Sequence, residues 1–274
     1  MRNRRSPIRV NSIIISESSS GHFAKTEEGY VLTYAGKNIA RAVKAGSVTD
    51  NPQVADVPVP GRECPLCGDD NIRMDYEDGH ILFSCTACEG IAPEDPVAPP
   101  GAIQAGSIPV SALIGRSPSD LYDSGVQWGV HVYSTLADGY CPVCAGVVDA
   151  DLVVCEEHNP SEGVCSSCGD RFASRARYEC TVCETVEWGS VFMVIGYTEP
   201  VFGFHYEHGI NPFRPDVTDD FGVIPDIEEI VQSISPPVVK YEFTLDQDTL
   251  RVIVDETLDV RHSETIADEG CSGA

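Results

Sequence analysis

The stretch CPVCAGVVDADLVVCEEHNPSEGVCSSCGDRFASRARYECTVC, residues 141–183, carries eight metal-type ligands and decides how the chain is organised. Cys141/Cys144, Cys165/Cys168 and Cys180/Cys183 have C-x-x-C spacing, and CEEH gives Cys155 and His158 the same spacing. Two residues between ligands form a tight turn that aims both side chains at one ion, with turn amides close to the sulfurs. Two pairings of these knuckles are open. A sequential pairing joins Cys141/Cys144 to Cys155/His158, and Cys165/Cys168 to Cys180/Cys183. A nested pairing joins Cys141/Cys144 to Cys180/Cys183, and leaves Cys155, His158, Cys165 and Cys168 to close a second site at a hairpin tip. The nested pairing is preferred. AGVVDADLVV and GDRFASRARYE are similar in length, neither has an internal reversal, and NPSEGV between the inner ligands has the Pro and Gly of a turn.

The same spacing recurs upstream at Cys64/Cys67 and Cys85/Cys88, around GDDNIRMDYEDGHILFS. Asp78-Gly79 is a hairpin signal between two strand-like runs, so these four cysteines read as a zinc ribbon. The two regions together give six knuckles and twelve ligands, which is what three tetrahedral sites need. Of the 12 cysteines only Cys271, in the tail, stands outside them. Up to three structural Zn2+ ions are therefore expected. Four protein ligands per site leave no open position for catalysis. The deaminase, metalloprotease, phosphate-loop and nucleophile-elbow patterns do not occur in the sequence. His205 and His208, in HYEH, read as a helix face rather than ligands. No enzyme activity is expected.

The 274 residues hold 43 Asp and Glu against 18 Lys and Arg, a net charge of −25, with 42% hydrophobic residues. That hydrophobic share suits folded domains, and the acid suits a surface that stays hydrated in concentrated salt. The charge is uneven: residues 1–50 sum to +4 and the remainder to −29. Only the N-terminal segment is suited electrostatically to DNA. No apolar run reaches a membrane span, and no signal-peptide pattern follows MRNRRSPIRV, so a cytoplasmic protein without membrane contact is expected.

Elsewhere, SPSDLYDSGVQWGVHVYSTLADG reads as a helix, with Ser117 as N-cap, Pro118 at N1, Asp120 in the first turn and Gly139 past the end. TEPVFGFHYEHG reads as a second short helix and PDIEEIVQSI as a third. VVKYEFTLDQDTLRVIVDETLDVR reads as a terminal hairpin, and HSETIADEGCSGA as a disordered tail. GSVTDNPQVADVPVPGRE and APEDPVAPPGAIQAGSIP read as linkers. The expected class is α+β. Its segments are a non-native or disordered stretch at 1–20, a hairpin and helix at 21–46, a zinc ribbon at 60–92, a helix and double-knuckle module with C-terminal helices and hairpin at 107–262, and a tail at 263–274.

GHFAKTEEGYVLTYAGKNIARAV, residues 21–43, resembles the wing and following helix of haloarchaeal ArsR-like winged-helix transcriptional regulators, GYVLTYAG being the most specific phrase. The CPLCGD…CTAC ribbon, the long helix, the CPVC module and EPVFGFHYEHG resemble the C-terminal part of the same proteins, so the likeness covers roughly residues 21–262. It implies double-stranded DNA as partner, read by a helix-turn-helix ahead of the wing. It also implies a possible homodimer or protein partner. Residues 1–20 match no part of a helix-turn-helix. One permissible back-translation of RVNSIIISESSS, read two bases on, gives a peptide similar to the family's recognition helix, so the expectation is an N-terminally truncated or frameshifted member, defective in DNA binding as encoded. The residues left to touch DNA are Lys25 in the wing and Lys37, Arg41 and Lys44 near the helix, as backbone contacts that position without specifying sequence. The alternative is a zinc-ribbon protein-interaction module that never binds DNA.

Overall fold

The computed structural model describes residues 21–27, 29–90, 100–159, 165–213 and 227–267. The fold is α+β, with antiparallel sheets throughout, and it divides into two compact units, Met1–Asn51 and Pro52–Ala274.

In the first unit, strands β1 (Phe23–Thr26) and β2 (Gly29–Leu32) form a hairpin, and helix α1 (Tyr34–Lys44) follows directly. Thr33 caps α1: its Oγ1 accepts from the Gly36 amide at 3.1 Å and donates to the Gly21 carbonyl at 2.9 Å. Gly36 is required there, because a Cβ would lie 2.1 Å from the His22 carbonyl oxygen. None of the large apolar side chains described in this unit is buried, and Tyr30 and Tyr34 are 75% and 79% exposed.

The second unit begins with a four-stranded sheet in the order β3 (Val54–Pro58), β4 (Ile72–Glu77), β5 (His80–Cys85), β6 (Ala102–Ser107). Asp78 and Gly79 take φ of 48° and 81°, the left-handed pair that a two-residue hairpin needs. Strict alternation then sends Ile72, Met74 and Tyr76 inward opposite Cys85, Phe83 and Ile81. Helix α2 (Pro118–Ala137) lays its first half on this face, where Tyr122 meets Phe83 edge-on at 4.8 Å between ring centres. The second half of α2 enters another core, placing Leu136 among the side chains of strands β7 (Val148–Val154) and β8 (Ser174–Cys180). Strand β9 (Val186–Ser190) completes that three-stranded sheet. Helices α3 (Val191–Ile195) and α4 (Glu199–Glu207) follow, and then a meander of β10 (Ile227–Ile234), β11 (Pro237–Leu245), β12 (Asp248–Val254) and β13 (Val260–Ala267).

Several expectations are corrected. PDIEEIVQSI is not a helix: its residues 227–234 are β10, paired antiparallel with β11. Ile227, Ile230, Val231 and Ile234 have helical spacing, but β-branched side chains beside an open strand edge are better served by a ladder. The terminal hairpin is the middle of a four-stranded meander, and residues 262–267 of the expected tail lie in β13, held by pairing to β12. Both expected linkers contain a strand, β3 and β6, at the two edges of the first sheet. The ribbon therefore does not end at residue 92, and its core takes in α2. Helix α3 had no counterpart in the sequence reading. Residues 1–20, Cys271 and most of the NPSEGV loop lie outside the described residues.

Candidate metal centres

Three groups of four donors come together: Cys64, Cys67, Cys85 and Cys88; Cys141, Cys144, Cys180 and Cys183; and Cys155, His158, Cys165 and Cys168. Within each, every donor atom lies within 4.8 Å of the others. The groups follow the nested arrangement. Val148 pairs with Cys180 at one end of the β7–β8 ladder and Val154 with Ser174 at the other, so one group sits at the base of the hairpin and one at its tip.

The spacing can be tested against a metal. Four thiolates about 2.3 Å from a tetrahedral ion are about 3.8 Å apart, whereas a disulfide brings its sulfurs to about 2.05 Å. The Sγ atoms of Cys64 and Cys88, of Cys67 and Cys85, and of Cys141 and Cys183 are each 3.7 Å apart, and those of Cys144 and Cys180 are 3.5 Å apart. At the tip, Cys168 Sγ lies 3.5 Å from His158 Nδ1. The donor sets fit a tetrahedral ion of zinc type.

Backbone conformation prepares four of the six knuckles in the same way. The residue after the second cysteine turns left-handed at Gly68 and Gly169, and also at Ala145 and Glu184, which lack glycine's freedom. Turn amides then donate to sulfur, as from Ala87 to Cys85 at 3.3 Å, Val143 to Cys141 at 3.4 Å and Val182 to Cys180 at 3.4 Å. These donors favour thiolate. The Asn159 amide is the chief cause that brings the Cys165 thiol down to about 6, and the Thr185 hydroxyl leads in bringing Cys183 down to about 6. Burial pushes Cys64 the other way, up to about 12, so at neutral pH it gives its proton to solvent only when a metal cation takes the proton's place on sulfur.

Two supporting groups were invisible in the sequence. His158 Nε2 donates to the Arg171 carbonyl at 3.1 Å, which fixes the tautomer and leaves Nδ1 as the free lone pair facing the sulfurs. Glu229 on β10 accepts from the Ala173 and Ser174 amides, the Ser174 hydroxyl and, at 2.8 Å, the Tyr241 hydroxyl. It thereby ties the segment leading out of the tip site to the C-terminal sheet. Arg171 is 13 residues from its partner and Glu229 is 55 or more from the tip segment, so no local pattern points to either.

The other candidates are more dispersed. Lys25 lies on β1 and Lys37, Arg41 and Lys44 on α1, all exposed. Positions 37, 41 and 44 share one helix face. His205 and His208 on α4 join no metal group: each directs Nδ1 at the carbonyl four residues back, Val201 and Phe204, at 2.8 Å. Among the described residues no helix is long and apolar enough to cross a membrane.

A family model described as a domain of unknown function, DUF7351, matches residues 61–260, which include all three donor groups. No curated protein and no solved structure matches the chain.

Proposed function

The chain belongs to the DUF7351 family, and from that premise we propose a zinc-stapled transcriptional regulator that contacts double-stranded DNA through its N-terminal unit. The observation that carries this reading is the row Lys37, Arg41 and Lys44 on the exposed face of α1, joined by Lys25 on the hairpin. It lies in residues 21–50, which hold four Lys and Arg against three Asp and Glu, whereas the chain beyond residue 50 sums to −29. Among the described residues of this unit no large apolar side chain is buried, which suits packing against a further DNA-binding element. The metal is zinc in this reading, and it serves structure: with four protein donors at each centre there is no position for a substrate or an activated water.

The test is DNA binding followed against salt. With a fluorescent duplex of mixed sequence, log affinity should fall linearly with log salt, by about 0.9 per phosphate contacted. Replacing Lys37, Arg41 and Lys44 by Ala one at a time should each lower that slope by about 1. Affinity and slope unchanged in all three variants would overturn the reading. A second reading, a zinc-ribbon module for protein interaction, is favoured by the apolar surface of the metal hairpin, and it is what remains if the chain binds no duplex.

A further inference from the structure

The face of the β7–β8–β9 sheet turned away from the core carries Asp149, Asp151, Arg175, Arg177 and Glu179 along its middle, and beside them a cluster of exposed apolar side chains at the knuckle end and on β9. Tyr140, Val143, Val147, Val182, Val186 and Trp188 are between 41% and 70% exposed there. With Val153 they make seven of the twelve large apolar side chains exposed among the described residues of Pro52–Ala274, so this is a concentration rather than the usual scatter. The register explains how they meet. Tyr140 bridges to Val147, so the two share a face. Val186 stands opposite Glu179, and Trp188 opposite Arg177. Val182 lies over Gly146, where an added Cβ would come within 2.9 Å of its methyl. Val143 and Val182 each occupy the second position between the cysteines of a knuckle, and the two knuckles close on one four-thiol centre.

The charge on this face is negative. Arg175 and Arg177 flank the Trp188 ring at 5.7 and 5.9 Å, but both are ion-paired, Arg175 with Asp170 and Arg177 with Asp151 and Glu179. Asp149 adds to them, being cross-strand from Glu179. With a divalent ion bound, the four thiolates of the knuckles that hold Val143 and Val182 would carry a formal −2. This excess of carboxylate over guanidinium disfavours nucleic acid as the occupant. A second copy of the chain is opposed too, since it would bring the same acidic rim and a net −25.

We propose that this face docks a cationic amphipathic segment of a partner protein. Apolar side chains of the segment would cover Val143, Val147 and Val182, and its Lys or Arg side chains would lie over Asp149, Glu179 and the metal-thiolate knuckles. The proposal deepens the protein-interaction reading and rests on metal at the Cys141/Cys144/Cys180/Cys183 centre. It is independent of DNA contact by the N-terminal unit.

The experiment uses the full, zinc-loaded chain labelled with 15N and two synthetic probes, an amphipathic 18-residue peptide of Leu and Lys and its Leu–Glu counterpart. The Leu–Lys peptide should bind and move amide signals within residues 140–153 and 179–188, and the Leu–Glu peptide should not. The exposed pair Val143→Glu and Val182→Glu should weaken binding at least tenfold with zinc content and circular dichroism unchanged. Asp149→Lys with Glu179→Lys, which leaves the apolar side chains in place, should do the same. Shifts spread over other acidic surfaces, equal binding of both peptides, or full affinity in both variants would overturn the proposal. If the zinc-loaded chain binds neither peptide, the docking proposal fails while the metal reading stands; a chain that retains no zinc fails the metal reading first.

Discussion

At His208 one imidazole is held between two acceptors, the Phe204 carbonyl at Nδ1 and the Asp248 carboxylate at Nε2, 3.2 Å away. Both nitrogens can donate only when the ring is charged. The Phe204 carbonyl first, and Asp248 after it, therefore raise the pKa above its ordinary value of 6.5. A raised folded pKa contributes stability that is fully present below the ordinary value and is lost as pH rises through the folded one. We expect His208→Gln to destabilise the metal-loaded chain more at pH 6 than at pH 8, as measured by denaturant unfolding. An equal loss at both would refute the linkage. The same residue shows what is legible at this scale. That HYEH is not a metal pair could be argued from its spacing; that His208 clasps α4 to β12 could not, because Asp248 is 40 residues away. The twelve metal donors were readable one by one because each knuckle is a four-residue pattern. Val143 and Val182 stand inside those patterns, yet only the folded hairpin shows that they face outward.

Elements whose boundaries are set by local chemistry were found as expected. Ser117 and Asp120 form a full capping box at the start of α2: Ser117 Oγ accepts from the Asp120 amide at 3.2 Å, and Asp120 accepts from the Ser117 amide at 3.1 Å. Hydrogen bonds from Ser117 are the chief cause holding the Asp120 carboxyl below its usual range. Ser117→Ala should lower unfolding free energy by about 1 kcal/mol, read from denaturant titration with a substitution at the exposed Gln127 of the same helix, Gln127→Ala, as control. A loss no larger than the control's would remove the box from the account. Elements defined by pairing were harder. β10 has apolar residues at helical spacing, and its strand alternation is broken by the irregularity between Val231 and Ser233. β3, β6 and β13 are short, polar or Pro-rich, and they exist because a neighbouring strand offers an edge. Sequence periodicity reports what a segment would bury by itself: β3 and β13 bury little, and β6 buries two adjacent residues, Ala102 and Ile103, which make no alternating pattern.

Across the whole molecule, the three donor groups would couple the fold of the second unit to bound metal in the reading proposed above. Cys64 and Cys85 belong to the first buried core as well as to a donor group, so metal and apolar packing are one structure there. Structural zinc sites contribute roughly 10–16 kcal/mol of apparent binding energy in small zinc peptides, more than the total stability of most domains. We expect about three zinc ions per chain by elemental analysis. Their removal by a strong chelator should abolish the near-ultraviolet dichroism of the aromatic cores, and zinc should restore it. A chain that keeps its aromatic signal after losing all metal would show that the cores stand without it. The number of centres was legible in the ligand count. The partition into a ribbon and a separate module was not, because the contacts that erase it are made by α2.

That helix has a consequence for inheritance. Its 20 residues span about 30 Å, with Leu121 and Tyr122 in one core and Leu136 in the other. A gene fragment ending before α2 would encode a ribbon lacking the lid of its core, and one starting after it would encode a metal hairpin lacking a wall. A recombination point inside α2 would damage both at once. The smallest piece that can pass intact from one gene to another therefore has α2 in its middle and a metal module on either side. The family match from residue 61 to residue 260 has that extent.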